Sequence, residues 1–205
     1  MPDSFDKLAD FLPEHTYPTI KSMIVGQPLQ IKVSKPRKSK FGDYRPSTLR
    51  QPIHRISVNG DLNTFAFMIT LIHELAHFYT FKTYGRRARP HGTEWKSYFK
   101  QLVGPFFNQD IFPENIEFAL KNYMANPAAS SCSDTDLYLA LASKDEVKEK
   151  VIRIQDLLVG SKFIYNGNLY KMIGKLRTRY SCQKVDNNAL YYFNAITPIR
   201  IDHVE

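Results

Sequence analysis

Apolar and polar positions alternate from Leu29 to Ser34 and again from Ile53 to Val58, the period-two signature of strands. Upstream, Ser4 stands where a cap would start a short helix through Leu12, stopped by Pro13. A second helical segment is expected from Thr19 to Val25, ending at Gly26. The stretch between the two strands, Lys35 to Arg45, is basic and turn-rich. Asn59-Gly60-Asp61 reads as a turn and Asn63 as the cap of a long helix over Thr64 to Tyr84, with Gly85 at the position of a left-handed terminal residue. Pro90-His91-Gly92-Thr93 breaks the pattern, and Thr93 is expected to cap a helix from Glu94 to Val103, ended by Gly104-Pro105. A further helix is expected over Pro113 to Met124, and a short one from Asp134 to Ser143 after a small, polar linker, Asn126 to Ser133.

The pattern then changes. From Val151 onward the apolar runs are short and strand-like: Lys162 to Tyr165, Leu169 to Ile173, Arg179 to Val185 and Leu190 to Ile196. Asn166-Gly167 between the first two is a hairpin signal. The fold class expected is α+β, followed by a small all-β module. The division is a first domain over residues 1–125, a linker with a short helix over 126–150, and the β module over 151–205.

Composition adds limits. The 205 residues are 43% hydrophobic and 13% aromatic, enough for a packed core and against global disorder. The N-terminal residues lack a basic n-region and an apolar h-region, and the most apolar run, Phe65 to Ile72, is too short to span a bilayer. The expectation is a soluble, cytoplasmic protein, neither secreted nor membrane-bound. The two cysteines, Cys132 and Cys182, are far apart and form no C-x-x-C pair, which excludes a disulfide framework and a cysteine zinc cluster. Nothing in the sequence fixes the oligomeric state.

One segment of the long helix carries chemistry. His73-Glu74-Leu75-Ala76-His77 places two imidazoles at i and i+4, on one helix face, where both can reach one metal ion. Glu74 then stands where a general base for an activated water belongs. Phe67, Met68, Ile69, Leu71, Ile72, Leu75 and Phe78 surround the motif, so the helix is expected to be buried, where unpaired histidines are costly. His91, after a turn and before a helix start, is the candidate third ligand. Glu94 is a rival for that place, although a carboxylate in a first helical turn also suits the helix dipole. His54, in a strand, is a weaker rival. A metzincin pattern fails, because Thr80 and Thr83 stand where its glycine and third histidine belong.

His73 to His77, taken with His91-Gly92-x-x-Trp95, resembles the SprT-like metalloprotease family. The approach to the motif is similar too: Ser39-Lys40-Phe41-Gly42-Asp43-Tyr44-Arg45, then Ile56-Ser57-Val58-Asn59, then Leu62-Asn63. The resemblance covers residues 15 to 105. It implies a compact zincin-like domain, Zn2+ on His73, His77 and His91, Glu74 as catalytic base, and hydrolysis of peptide bonds, often in proteins bound or crosslinked to DNA. Nucleoid association and a role in DNA repair would follow. Many members carry a C-terminal zinc ribbon; here the β module has only Cys182, so a metal-held ribbon is ruled out. Tyr44, Tyr79 and Arg45 are near enough to the motifs to be candidates for stabilising an oxyanion.

The formal net charge of +8 favours polyanionic partners. Arg37, Lys38, Lys40 and Arg45 fall in a basic run before the metal helix that also holds Lys32, Lys35, Arg50 and Arg55, against a single acid, Asp43. Lys175, Arg177 and Arg179 belong to a second set in the β module, interleaved with tyrosines. These seven are the candidate nucleic-acid contacts, with salt-sensitive binding of DNA or nucleoprotein expected. Two other functions compete with a metalloprotease acting on a protein or peptide substrate: a non-proteolytic nucleic-acid-binding protein with a structural zinc, and a metal-dependent nuclease.

Overall fold

The computed structural model describes residues 5–37, 40–107, 109–125, 127, 134–145 and 152–199. The chain divides into two compact units, residues 1–145 and 146–205. Lys38, Ser39, Cys132 and most of the segment read as a linker lie outside the described residues.

In the first unit, α1 is Tyr17–Ile24 and a three-stranded sheet has the order β1-β3-β2. Strands β1 (Leu29–Ser34) and β3 (His54–Asn59) run parallel, Ile31 beside Ile56. Strand β2 (Gly42–Arg45) pairs antiparallel with β3, Tyr44 opposite Ile56. The apolar residues of β1 and β3 share one face, and α2 (Thr64–Tyr84) packs on it. Strand β2 was not expected: Gly-Asp-Tyr-Arg has no apolar alternation, and its extended shape comes from hydrogen bonding to β3 rather than from its own composition. The N-terminal segment is also tighter than expected, a 3-10 helix over Asp6–Phe11 whose cap, Phe5, has no side-chain acceptor to offer.

Helix α2 is central because nearly every side of it is apolar: each residue from Ala66 to Ala76 is buried. Full burial of side chains such as Phe67, Leu71, Leu75 and Phe78 contributes about 1.5–3 kcal/mol each, which offsets the cost of burying Thr70, His73 and Glu74 in the same stretch. Asn63 starts the helix: its Oδ1 accepts the Ala66 N–H at 3.0 Å, while its Nδ2 donates to Leu141 O at 2.9 Å and to Asp145 Oδ1 at 2.6 Å. One side chain therefore closes the first turn of α2 and the last of α5 (Thr135–Ala142), tying α5 to the first unit. Gly85 ends α2 with φ 61° and ψ −138°, a positive φ but outside the left-handed helical well. Helix α3 (Thr93–Val103) lies along α2, and α4 (Glu114–Ala125) packs with α5. The cap of α3 is Gly92; Thr93 is already its first helical residue.

The second unit is an antiparallel sheet, β4 (Lys162–Tyr165), β5 (Asn168–Lys175), β6 (Tyr180–Lys184) and β7 (Leu190–Phe193), in chain order. Asn166 and Gly167, at φ 47° and 76°, make the β4–β5 turn with both central residues at positive φ, as that dipeptide favours. Ile154, Phe163, Tyr170, Met172, Cys182, Phe193 and Ile199 form its core. Burial pushes the Cys182 thiol up to about 11, so it is a core residue and not an anionic ligand at neutral pH. The described architecture is α+β with helices and two sheets, the second unit all-β. Among the described residues no helix is long and apolar enough to cross a membrane.

Candidate metal centre

The i, i+4 spacing places His73 and His77 on one face of α2, with ring centroids 5.0 Å apart. The chain then leaves α2 through Gly85–Arg87 and turns back at Pro90, where His91 adopts φ 58°. A left-handed conformation costs a residue with a Cβ about 1–2 kcal/mol. The Gly92 N–H to Arg89 O bond of 2.9 Å and the onset of α3 hold the turn in place. His91 is thereby aimed at the pair, with its ring 5.2 Å from His73 and 4.6 Å from His77. Trp95, in the first turn of α3 and fully buried, lies against all three rings at 4.6, 5.4 and 4.8 Å, and its Nε1 donates to His73 O at 3.4 Å. Phe99 stacks beneath Trp95 at 5.2 Å. The spacing His-Gly-x-x-Trp thus has a physical basis: the histidine enters the site, the glycine starts the helix, and the tryptophan forms the floor.

One ring nitrogen from each of His73, His77 and His91 lies within 4.8 Å of the other two. His73 Nε2 and His91 Nε2 are 3.3 Å apart. Two nitrogens on a tetrahedral zinc at 2.0–2.1 Å are separated by about 3.3 Å, so this pair fits one ion. The charge states fit as well. Burial pushes His73 down to about 3 and His77 to about 4, helped by the neighbouring histidines, and burial lowers His91. All three are therefore neutral at pH 7, the form that ligates. No fourth His, Cys, Asp or Glu joins this group among the described residues; Glu94 stays outside it.

Glu74 lines the same cleft as the three histidines, and its carboxyl lies against Gly42 of β2. It is buried, which pushes its carboxyl up to about 8, as does the charge of Asp43; Arg37, Lys40 and a hydrogen bond from the Tyr44 backbone N–H act in the opposite direction. A group that titrates near neutrality can both take and return a proton. The strand above it depends on a glycine. A Cβ on Gly42 would lie 2.3 Å from Glu74 Oε1, 2.8 Å from Glu74 Cγ and 2.8 Å from Thr70 Cγ2. The carboxylate can swing aside; the Thr70 methyl on the helix cannot. Gly42→Ala is therefore expected to destabilise the first unit by about 1–3 kcal/mol and to displace Glu74, read as a lower midpoint in denaturant. An unchanged midpoint would show that β2 is not seated on Glu74.

Tyr44 and His54 form a supporting pair. Tyr44 Oη donates to His54 Nδ1 at 2.8 Å, and the Ser47 N–H also reaches that nitrogen, at 3.2 Å, so Nδ1 is the acceptor and Nε2, 3.2 Å from Ser47 Oγ, carries the proton. The Tyr44 ring is parallel to His77 at 6.2 Å. His54 is thus a satisfied core histidine that positions Tyr44, and not a ligand. Of the three oxyanion candidates, Tyr79 Oη donates to Met23 O at 2.5 Å, Arg45 Nε is bonded to Asp43 Oδ2 at 2.8 Å, and Tyr44, which lines the cleft, has its hydroxyl proton committed to His54.

The cleft over the histidines holds about 560 Å³ and is lined by Gly42, Tyr44, Glu74, Arg86, Arg89 and Trp95 among others, a size that suits a ligand-binding cleft. Sequence reasoning missed Gly42 as the residue that admits β2 over Glu74, and it did not place Arg86 and Arg89 at the cleft, which both line. The signal for Gly42 was a lone glycine inside a basic run, with nothing local to mark it.

The candidate nucleic-acid residues fall into two groups. Arg37, Lys40 and Arg45 lie about the outer side of β2 and β3; Lys38 is outside the described residues. In the second unit Lys175 ends β5, its Nζ 5.8 Å over the Tyr180 ring, and Arg177 and Arg179 are exposed in the β5–β6 turn.

The sequence profile of the SprT-like family matches residues 19–117, a span from α1 into α4 that includes the three histidines and Glu74. No curated protein and no solved structure matches the chain.

Proposed function

Because the chain belongs to the SprT-like family over residues 19–117, we propose that it is a zinc-dependent metalloprotease with a zincin-like first domain, hydrolysing peptide bonds in proteins associated with nucleic acid. The observation that carries the reading is the convergence of three neutral histidines on one point with a buried, near-neutral carboxyl beside them. His73, His77 and His91 would hold the zinc. When bound, zinc supplies Lewis acidity, which acidifies a water and polarises a peptide carbonyl.

The remaining work falls to the chain's own side chains. Glu74, in its carboxylate form, accepts a proton from the attacking water at a carboxylate oxygen and returns it to the leaving amine, so that it ends each cycle as it began. The Tyr44 N–H fixes the carboxylate's orientation. Trp95 and Phe99 exclude water from beneath the histidines. The set of three donors favours an open, catalytic site over a closed structural one, which would call for a fourth protein ligand. The basic balance of the chain, +8, supports a nucleic-acid-associated substrate.

The test is metal removal and restoration. The full chain stripped with chelator and reloaded with zinc is incubated with a DNA-bound protein and, separately, with bare RNA. The expected result is cleavage of the protein that disappears with the metal and returns with it, and intact RNA. Cleaved RNA with intact protein would establish a nuclease instead; no cleavage of either, with zinc retained, would favour a structural metal.

A further inference from the structure

In the first unit α2 packs on one face of the three-stranded sheet, and the opposite face is not the apolar surface that a sheet would otherwise present. Strand alternation brings Gln30, Lys32 and Ser34 of β1, Arg55 and Ser57 of β3, and Asp43 and Arg45 of β2 to this side. They line a depression of about 460 Å³. Two cross-strand rows organise it: Gln30, Arg55 and Arg45 in one, Lys32, Ser57 and Asp43 in the next.

The rows put like charges together. Arg55 and Arg45 are directly opposed on adjacent strands, an arrangement that is destabilising unless an anion lies between them. Arg45 is bonded to Asp43, whose other oxygen is held by Lys40 at 2.5 Å. That single acid is thereby used up, and Arg55 and Lys32 have no ion pair among the described residues. At the end of the depression Arg37 is fixed by Ser57 Oγ, Ser57 O and Phe41 O at 3.2, 3.2 and 3.3 Å, acceptors that orient its guanidinium without neutralising it. Its Nε is buried with no partner.

We propose that this outer sheet face, built on Lys32, Arg45, Arg55 and Ser57 and closed at one end by Arg37, binds the phosphodiester backbone of a nucleic acid. Cations spread across three strands, about 4.8 Å from strand to strand, match a repeating anion better than a single enclosed one. The face contributes no aromatic side chain to its rows, so it would grip backbone and leave bases unread. Its place gives it a purpose. Asp43 borders both this depression and the metal cleft, so the strand β2 alone separates a phosphate on one side from a peptide on the other. A protein held on nucleic acid would be presented to the cleft by the same strand that seats Glu74. The inference deepens the nucleic-acid part of the proposed function and does not depend on the zinc chemistry.

The test measures binding alone. Fluorescence anisotropy of a labelled oligonucleotide with the full chain, across a salt series, gives the slope of log affinity on log salt. Each lost phosphate contact lowers that slope by about 0.7–0.9. Lys32→Gln with Arg55→Gln should lower it by about 1.5 and weaken binding about ten- to a hundredfold near 0.1 M salt. Lys7→Gln with Lys100→Gln, two exposed cations elsewhere in the first unit, should leave it unchanged. Asp43→Asn, which removes the acid from the face, should tighten binding, a gain that misfolding cannot produce. A wild-type slope in Lys32→Gln with Arg55→Gln would overturn the proposal. So would a slope lost only when Lys175, Arg177 and Arg179 are replaced by Gln, or binding of inorganic phosphate without binding of the oligonucleotide. Because none of these readings involves cleavage, a chain that binds but does not hydrolyse would refute the protease reading and leave this one standing.

Discussion

Glu74→Gln is expected to keep its zinc and lose peptide cleavage by about 10²–10⁴-fold, the range a positioned general base contributes. The variant isolates the proton transfer. Gln has the shape of Glu, so it fits under Gly42, and its Oε1 still accepts the Tyr44 N–H. It is not one of the three converging donors, so the histidine set is untouched. What disappears is a group able to take a proton. Burial and the Asp43 charge raise the carboxyl to about 8, with Arg37 and Lys40 opposing. A divalent cation on the histidines favours the carboxylate further, which is the form a base needs at pH 7. Zinc content by metal analysis and turnover on one protein substrate are measured on the same preparation. Full turnover in the variant would remove Glu74 from the mechanism.

Helix α2 was legible to the residue, Thr64 to Tyr84, because its apolar character is continuous and its cap, Asn63, is a local feature. The hairpin at Asn166-Gly167 and strand β4 were legible for the same reason: the information is within a few residues. His91 was legible as a candidate through the turn at Pro90 and the helix start that follows. Strand β2 was not, because its four residues are specified by a partner strand and by a helix across the fold: Gly42 matters only because Glu74 and Thr70 lie beneath it. The cap of α3 was misplaced by one residue, since Thr93 is a good capping type but the turn that aims His91 ends on Gly92. His54 could not be assigned from its strand alone; its role depends on Tyr44 and Ser47 reaching it from a segment with no pattern of its own. The basic run before α2 was visible as composition, but which of its members share a face emerges only from the register of β1, β3 and β2.

The second large effect concerns His91. Removing its imidazole should weaken zinc binding by more than the roughly 10–100-fold that changes outside the ligand set cost, since a donor itself is lost. Alanine is a clean replacement here. At φ 58° it bears about the same left-handed strain, 1–2 kcal/mol, that histidine does. The turn held by Gly92 and Arg89 and the floor made by Trp95 are left in place. Folding of the metal-free chain should therefore change little, and any loss of zinc reports on coordination. His54→Ala serves as the counterpart: it removes a buried histidine of the same unit that is bonded to Tyr44 and Ser47 rather than directed at the centre.

The most direct measurement is zinc per chain, by elemental analysis after dialysis against a weak chelator, on the unaltered protein, His91→Ala and His54→Ala. Three-histidine coordination predicts roughly one zinc in the unaltered chain, little or none in His91→Ala, and a retained ion in His54→Ala. An unaltered protein that binds no zinc, or a His91→Ala variant that keeps the full amount, would contradict it.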